Sequence, residues 1–229
     1  SLPFVRTLAV TFPVTAVVQF KGRVVVSGTP LRPALLAGDA ARGRALLGAP
    51  PDRPVLLVTG GSLGAAALNH AVVDALPALL ETFVVAHVCG RGKIPDVQAP
   101  GYHPFEYVSD GWGDLLAAAD LVVSRAGANT LFELLALRKP TLLVPLSLKA
   151  SRGDQVENAA YAEQRGFCRV LREDALDGAS LARAIGETWE ARTALLAALA
   201  GFEVPDAAGV LVEELERIAR RSTGGDVST

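Results

Sequence analysis

The chain has 229 residues, 50% of them hydrophobic, with 22 basic and 24 acidic side chains and a formal net charge of −2. That length suits one substantial α/β domain with some extra material and is short for a complete two-domain enzyme. Balanced charge without any block of lysine or arginine gives no electrostatic case for nucleic-acid binding, and a small molecule becomes the default partner. Residues 1–29 hold strand-like runs, Leu8 to Phe12 and Arg23 to Val26, without helices to bury them, and read as the tail end of another domain. Pro30 and Pro33 then punctuate the chain as a linker does. From Pro54 to Leu171 short β-branched or apolar runs alternate with longer helical ones, the rhythm of a doubly wound, Rossmann-like parallel sheet in an α/β fold. Strands are predicted at 54–59, 83–89, 103–108, 120–124, 141–144 and 167–171. Between the first two, Leu68, Val72, Leu76 and Leu79 make one apolar helical stripe. Further helices are predicted at 111–118, 129–138 and 154–165, the last stopped by Gly166. Residues 180–200 form an Ala/Leu-rich helical stretch that Gly201 breaks, and Asp206 caps a final helix to about Arg221. The expected divisions are 1–29, 30–203 and 204–229.

Cys89 and Cys168 lie far apart on strand-like segments, without metal or redox spacing, and read as reduced, cytosolic thiols. No apolar run reaches the roughly 18–20 residues of a membrane span, so the fragment is expected to be soluble. Methionine is absent, so Ser1 either follows an excised initiator or lies within a longer chain; the strand-like runs of 1–29 favour the second.

Three segments could carry chemistry. In the first, a buried strand turns through Gly60, Gly61, Ser62, Leu63 and Gly64 straight into a helix. Such a turn leaves backbone N–H groups aimed at one spot, where peptide dipoles add positive charge, and a phosphate fits both demands. A glycine turn can also be purely structural, and the spacing matches neither the dinucleotide fingerprint nor the Walker motif. The second segment runs from Arg125 to Glu133. Thr130 and Glu133 stand three apart, as in a capping box. Alternatively, the carboxylate faces the ligand edge of the sheet, where its two oxygens match the vicinal hydroxyls of a ribose. The third segment, Lys149 to Asn158, again follows a strand and opens a helix, with Asp154 readable as an N-cap and Gln155 and Asn158 as solvated polar residues. All three converge on the edge where open α/β sheets bind ligands.

Together these motifs resemble the C-terminal donor-binding domain of MurG-type transferases, glycosyltransferase family 28, over most of the chain from about Gly28 to the final helix. That family moves N-acetylglucosamine from UDP-GlcNAc to a lipid-linked muramoyl-pentapeptide in peptidoglycan synthesis. The resemblance implies the C-terminal half of a GT-B fold, with 1–29 a remnant of the acceptor domain and the last segment a return helix. It implies that Gly61, Ser62 and Gly64 hold the diphosphate and that the Val108 backbone reads uracil. It further implies that Asn129 and Thr130 flank the nucleotide, Glu133 binds the ribose, and Gln155 with Asn158 lies near the sugar. Arg32, in the domain-junction segment Gly28 to Arg32, is implied near the phosphates. Leu63 stands where the family often has glutamine, and Leu148 to Arg152 replaces its usual histidine-containing approach.

No DxD pair or metal-suited cluster occurs, so the departing UDP is expected to be stabilised without metal or any cofactor. His70, His87 and His103 read as structural, and no residue here is assigned as catalytic base. The base and the lipid-linked acceptor are expected to come with a missing N-terminal domain, which would hold the enzyme at the inner face of the cell membrane. Rival readings are a diacylglycerol glycosyltransferase, a UDP-GlcNAc 2-epimerase and a non-catalytic donor-binding subunit.

Overall fold

A computed structural model of the chain describes residues 5–13, 20–61, 65–147 and 153–223. The chain separates into two compact units, Ser1–Pro30 with Glu203–Thr229 and Leu31–Phe202.

In the smaller unit, β1 (Thr7–Val10) pairs in parallel with β2 (Arg23–Val26). The C-terminal helix, Ala207–Thr223, belongs to the same unit. Glu214 on this helix pairs with Arg23 at 2.7 Å, and Arg217 donates to Thr7 Oγ1 at 3.2 Å. Asp206 accepts from the Gly209 N–H at 3.0 Å, the cap expected from sequence. Leu215 on this helix is 66% exposed.

The larger unit opens with two short helices, α1 (Pro33–Leu36) and α2 (Ala40–Leu46), so the linker-like punctuation at Pro30 and Pro33 leads directly into a helix. Pro33 stands in the first turn of α1, where no N–H is needed, and Asp39 caps α2 through Ala41 and Arg42. The sheet that follows has six parallel strands: β3 (Val55–Thr59), β4 (Val84–Val88), β5 (Tyr102–Phe105), β6 (Leu121–Ser124), β7 (Thr141–Leu143) and β8 (Arg169–Val170). Their order is β5-β4-β3-β6-β7-β8. The chain therefore winds outward from β3 in one direction and resumes from β6 in the other. The boundary between β3 and β6 is a topological switch point, where crossover helices diverge to opposite faces and leave a crevice.

Burial on both faces explains the uninterrupted apolar strands. Leu56 and Val58 pack with α3 (Ala66–Thr82) and α7 (Gly178–Glu190) on one face. Val55 and Leu57 pack with α4 (Trp112–Ala118) and Leu134 of α5 (Ala128–Ala136) on the other. α6 (Asp154–Gln164) precedes β8, and α8 (Arg192–Ala200) follows α7 directly. The predicted continuous 180–200 helix is thus two helices meeting at Ala191. Among the described residues no helix is long and apolar enough to cross a membrane.

Candidate functional site

A cleft of about 530 Å³ opens at the switch point. Four strand exits line it: Gly60, Gly61 and Ala65 after β3; Arg125, Gly127 and Thr130 after β6; Leu146 and Gln155 after β7; and Glu173 after β8. Three helices begin around it. The N-cap residues of α3, α5 and α6 are Ala65, Gly127 and Gly153, and none supplies a side-chain acceptor. By contrast α2 and α7 carry capping aspartates, Asp39 and Asp177. Helix starts without caps leave N–H donors and positive dipole ends for something else to satisfy, and an anion does so.

The glycine turn has local reasons for its shape. Gly61 has φ +80°, a left-handed conformation that favours glycine, and its N–H lies 3.3 Å from Thr59 Oγ1. Ser62 and Gly64, expected to hold a diphosphate, lie outside the described residues, as does the approach at 148–152.

The capping-box alternative for Thr130 and Glu133 does not form: α5 is capped at Gly127, which puts Thr130 within the first turn, facing the cleft. Glu133 lies one turn further, its side chain 17% exposed, with Oε1 3.6 Å from the Arg32 guanidinium. Burial pushes its pKa above the ordinary carboxylate value, and Arg32 partly opposes that rise. Arg32 does not line the cleft. It borders a neighbouring hollow of about 360 Å³ with Ser109, Asp110 and Gly111, just beyond Val108. Val108 itself is half-buried and packs on the core face containing Leu115 and Leu116. Asn129 is exposed beside Thr130.

Asp154 is not an N-cap, since Gly153, with φ +92°, occupies that position. Gln155 lines the cleft, and its Oε1 accepts from the Leu146 N–H at 3.1 Å. Asn158, readable from the sequence as a solvated polar residue, is instead 5% exposed and donates to the Ala126 carbonyl at 3.1 Å. It fastens α6 to the loop after β6.

Sequence reasoning did not assign Arg125 or Glu173. Arg125 is buried beneath the cleft, donating to the Val144 carbonyl at 3.0 Å and to Glu173 Oε1 at 2.7 Å. The other Glu173 oxygen accepts from the Ser147 N–H at 2.8 Å. Burial works to raise the Glu173 pKa, but the Ser147 N–H and the Arg125 charge outweigh it and hold the carboxyl below its ordinary value. An arginine directly after a buried strand was a signal in Arg125; Glu173, on a short turn after β8, belongs to no local motif. Among the described residues no group of three His, Cys, Asp or Glu side chains could hold a metal ion.

Residues 55–208 match the model of the glycosyltransferase family 28 C-terminal domain. Among curated proteins, the UDP-N-acetylglucosamine–N-acetylmuramyl-(pentapeptide) pyrophosphoryl-undecaprenol N-acetylglucosamine transferase of Lachnoclostridium phytofermentans is 38% identical over 219 residues, 95% of this chain and 62% of that protein. Its namesake from Geobacillus thermodenitrificans is 45% identical over 192 residues, 83% of this chain and 54% of that protein. The chain thus spans about three fifths or less of the length of these curated relatives. Among solved structures, MurG of Acinetobacter baumannii superposes with a TM-score of 0.69 at 23% identity, over 93% of this chain and 60% of that one. The calicheamicin glycosyltransferase CalG4 gives 0.61 at 19%, over 95% and 54%. These likenesses identify the fold as that of GT-B glycosyltransferases.

Proposed function

The chain belongs to glycosyltransferase family 28, matching its C-terminal domain, and from that premise we propose that it binds the UDP-sugar donor of an inverting transferase. The names of the relatives support the finer reading: N-acetylglucosamine passes from UDP-GlcNAc to a lipid-linked muramoyl-pentapeptide in peptidoglycan synthesis. The carrying observation is the cleft at the switch point, where three helices without side-chain caps begin.

In this reading the diphosphate lies against the Gly60–Gly61 turn and the start of α3, where oriented N–H groups meet its charge. Those donors strengthen their hold as the leaving UDP gains charge, and one such preorganised donor is commonly worth about 2.7–4 kcal/mol. Glu133 accepts from the ribose hydroxyls and the backbone at Val108 meets the base. Arg32 screens the phosphates, Asn129 and Thr130 flank the nucleotide, and Gln155 faces the sugar. An acceptor hydroxyl attacks the anomeric carbon as the bond to UDP breaks, and its proton passes to a base outside this chain, inverting the anomeric configuration. The region that presents acceptor and base also carries the peripheral membrane association. The units 1–29, 30–203 and 204–229 then serve as acceptor-domain remnant, donor domain and return helix.

Calorimetric titration with UDP, UDP-GlcNAc, UDP-glucose and UDP-galactose tests the reading. Binding of UDP, with UDP-GlcNAc preferred among the sugars and affinity lost in Glu133→Ala, supports it. Absence of UDP binding by the unsubstituted chain overturns it.

A further inference from the structure

We propose that Glu173 is a specificity-determining residue for the donor: its carboxylate, fixed by Arg125 and the Ser147 N–H, accepts a hydrogen bond from a hydroxyl group of the hexose. This rests on the proposed donor site and adds to it a residue from the fourth strand exit.

The first argument is position. Glu173 lines the same cleft as Gly61, Thr130 and Gln155. Glu173 and Gln155 accept from consecutive backbone donors, the N–H groups of Ser147 and Leu146, so their side chains flank one short stretch of wall. The second is capacity. Among the described residues the Arg125 guanidinium and the Ser147 N–H each reach one Glu173 oxygen, at 2.7 and 2.8 Å, and the Ser147 hydroxyl is a third donor; two carboxylate oxygens accommodate about four. The side chain is 17% exposed, so a ligand can reach what remains.

The third is charge. A carboxylate repels a diphosphate but accepts readily from a neutral hydroxyl of a sugar ring. Arg125 cannot take the phosphate role, because its side chain is only 7% exposed and its terminal nitrogens are engaged by Val144 and Glu173. Its Nε is buried with no acceptor among the described residues. A buried pair that leaves a donor unsatisfied is a poor device for stability alone. Its evident product is an ionised, immobile carboxylate at the cleft surface.

The test compares UDP with UDP-GlcNAc and UDP-glucose by titration calorimetry on the unsubstituted chain, Glu173→Ala and Glu173→Gln. UDP binding reports in each case that the site is folded. The expected result is an unchanged Kd for UDP and a loss of about tenfold for both UDP-hexoses in Glu173→Ala. If that variant binds no UDP because Arg125 is left unpaired, the isosteric Glu173→Gln decides by the same ratio. Equal effects on UDP and UDP-hexoses, or no effect on either, overturn the assignment while leaving the donor site standing. Failure of the unsubstituted chain to bind UDP overturns the donor site itself, a distinguishable result.

Discussion

Arg32 and Glu133 face each other at 3.6 Å, one side chain 70% exposed and the other 17%. The exposed partner is the one that can move, so the guanidinium can swing toward an incoming anion while Glu133 stays fixed on α5. Glu133 has a raised pKa because burial penalises its charge, and Arg32 restrains that rise. Removing the arginine therefore raises the pKa further. If ribose binding needs the ionised carboxylate, UDP affinity should fall as pH drops, and Arg32→Ala should begin its decline at higher pH. Titrations with UDP from about pH 7 to about pH 5 check this. Parallel profiles would show that Arg32 does not tune Glu133.

Gln155 and Asn158, neighbours on α6, should separate cleanly. Asn158 is buried and ties the helix to the Ala126 carbonyl, so Asn158→Ala should cost about 1–3 kcal/mol of stability by leaving that acceptor unmatched. Gln155 borders the cleft, and its partner Leu146 N–H is half-buried within reach of water. Gln155→Ala should cost under about 1 kcal/mol while weakening UDP-sugar binding. Urea denaturation beside calorimetry reads both, and equal stability losses would count against the distinction.

The sheet was legible because its strands are buried on both faces and so carry unbroken apolar runs, as in Val55–Thr59 and Leu121–Ser124. The motif-bearing loops could be read because a strand exit followed by a helix is a local pattern. What stayed hidden depends on distant partners. Pro33 punctuates the sequence as a linker proline does, yet it occupies a helix start that tolerates proline. The break at Ala191 carries no glycine or proline signal. Asn158 appeared polar and exposed, but its burial follows from the loop packed over it, and Glu173 reaches the cleft only because β8 pairs with β7.

The α2–α4 contact relies on the absence of a side chain. A Cβ on Gly43 would sit 2.1 Å from the Asp114 carbonyl oxygen, and backbone cannot swing aside as a side-chain tip can. Gly43→Ala should therefore destabilise the chain by about 1–3 kcal/mol. Gly186, exposed in α7 with nothing within 4 Å of its would-be Cβ, provides the control. Gly186→Ala should stabilise by about 0.5–1 kcal/mol through helix propensity. Denaturation midpoints moving the same way would refute the steric account.

His87 should make stability pH-dependent. It is fully buried in β4, with Nδ1 2.9 Å from Tyr102 Oη and Nε2 3.1 Å from Asn69 Oδ1. Asn69 donates its amide to the Cys89 carbonyl, which leaves its oxygen facing His87; the imidazole proton therefore resides on Nε2, and Nδ1 accepts from Tyr102. Burial pushes the pKa down from 6.5 to about 4. Below pH 6.5 the unfolded chain binds a proton that the folded chain refuses, so this contribution is complete above 6.5 and declines as pH falls toward 4. Across the whole window the loss is about 3 kcal/mol. His87→Gln keeps an amide donor and acceptor but does not titrate. Its stability difference between about pH 7.5 and about pH 4.5 should be smaller than that of the unsubstituted chain by most of this amount. Urea unfolding at both pH values measures it, and identical pH dependences would mean that folding leaves the His87 pKa unshifted.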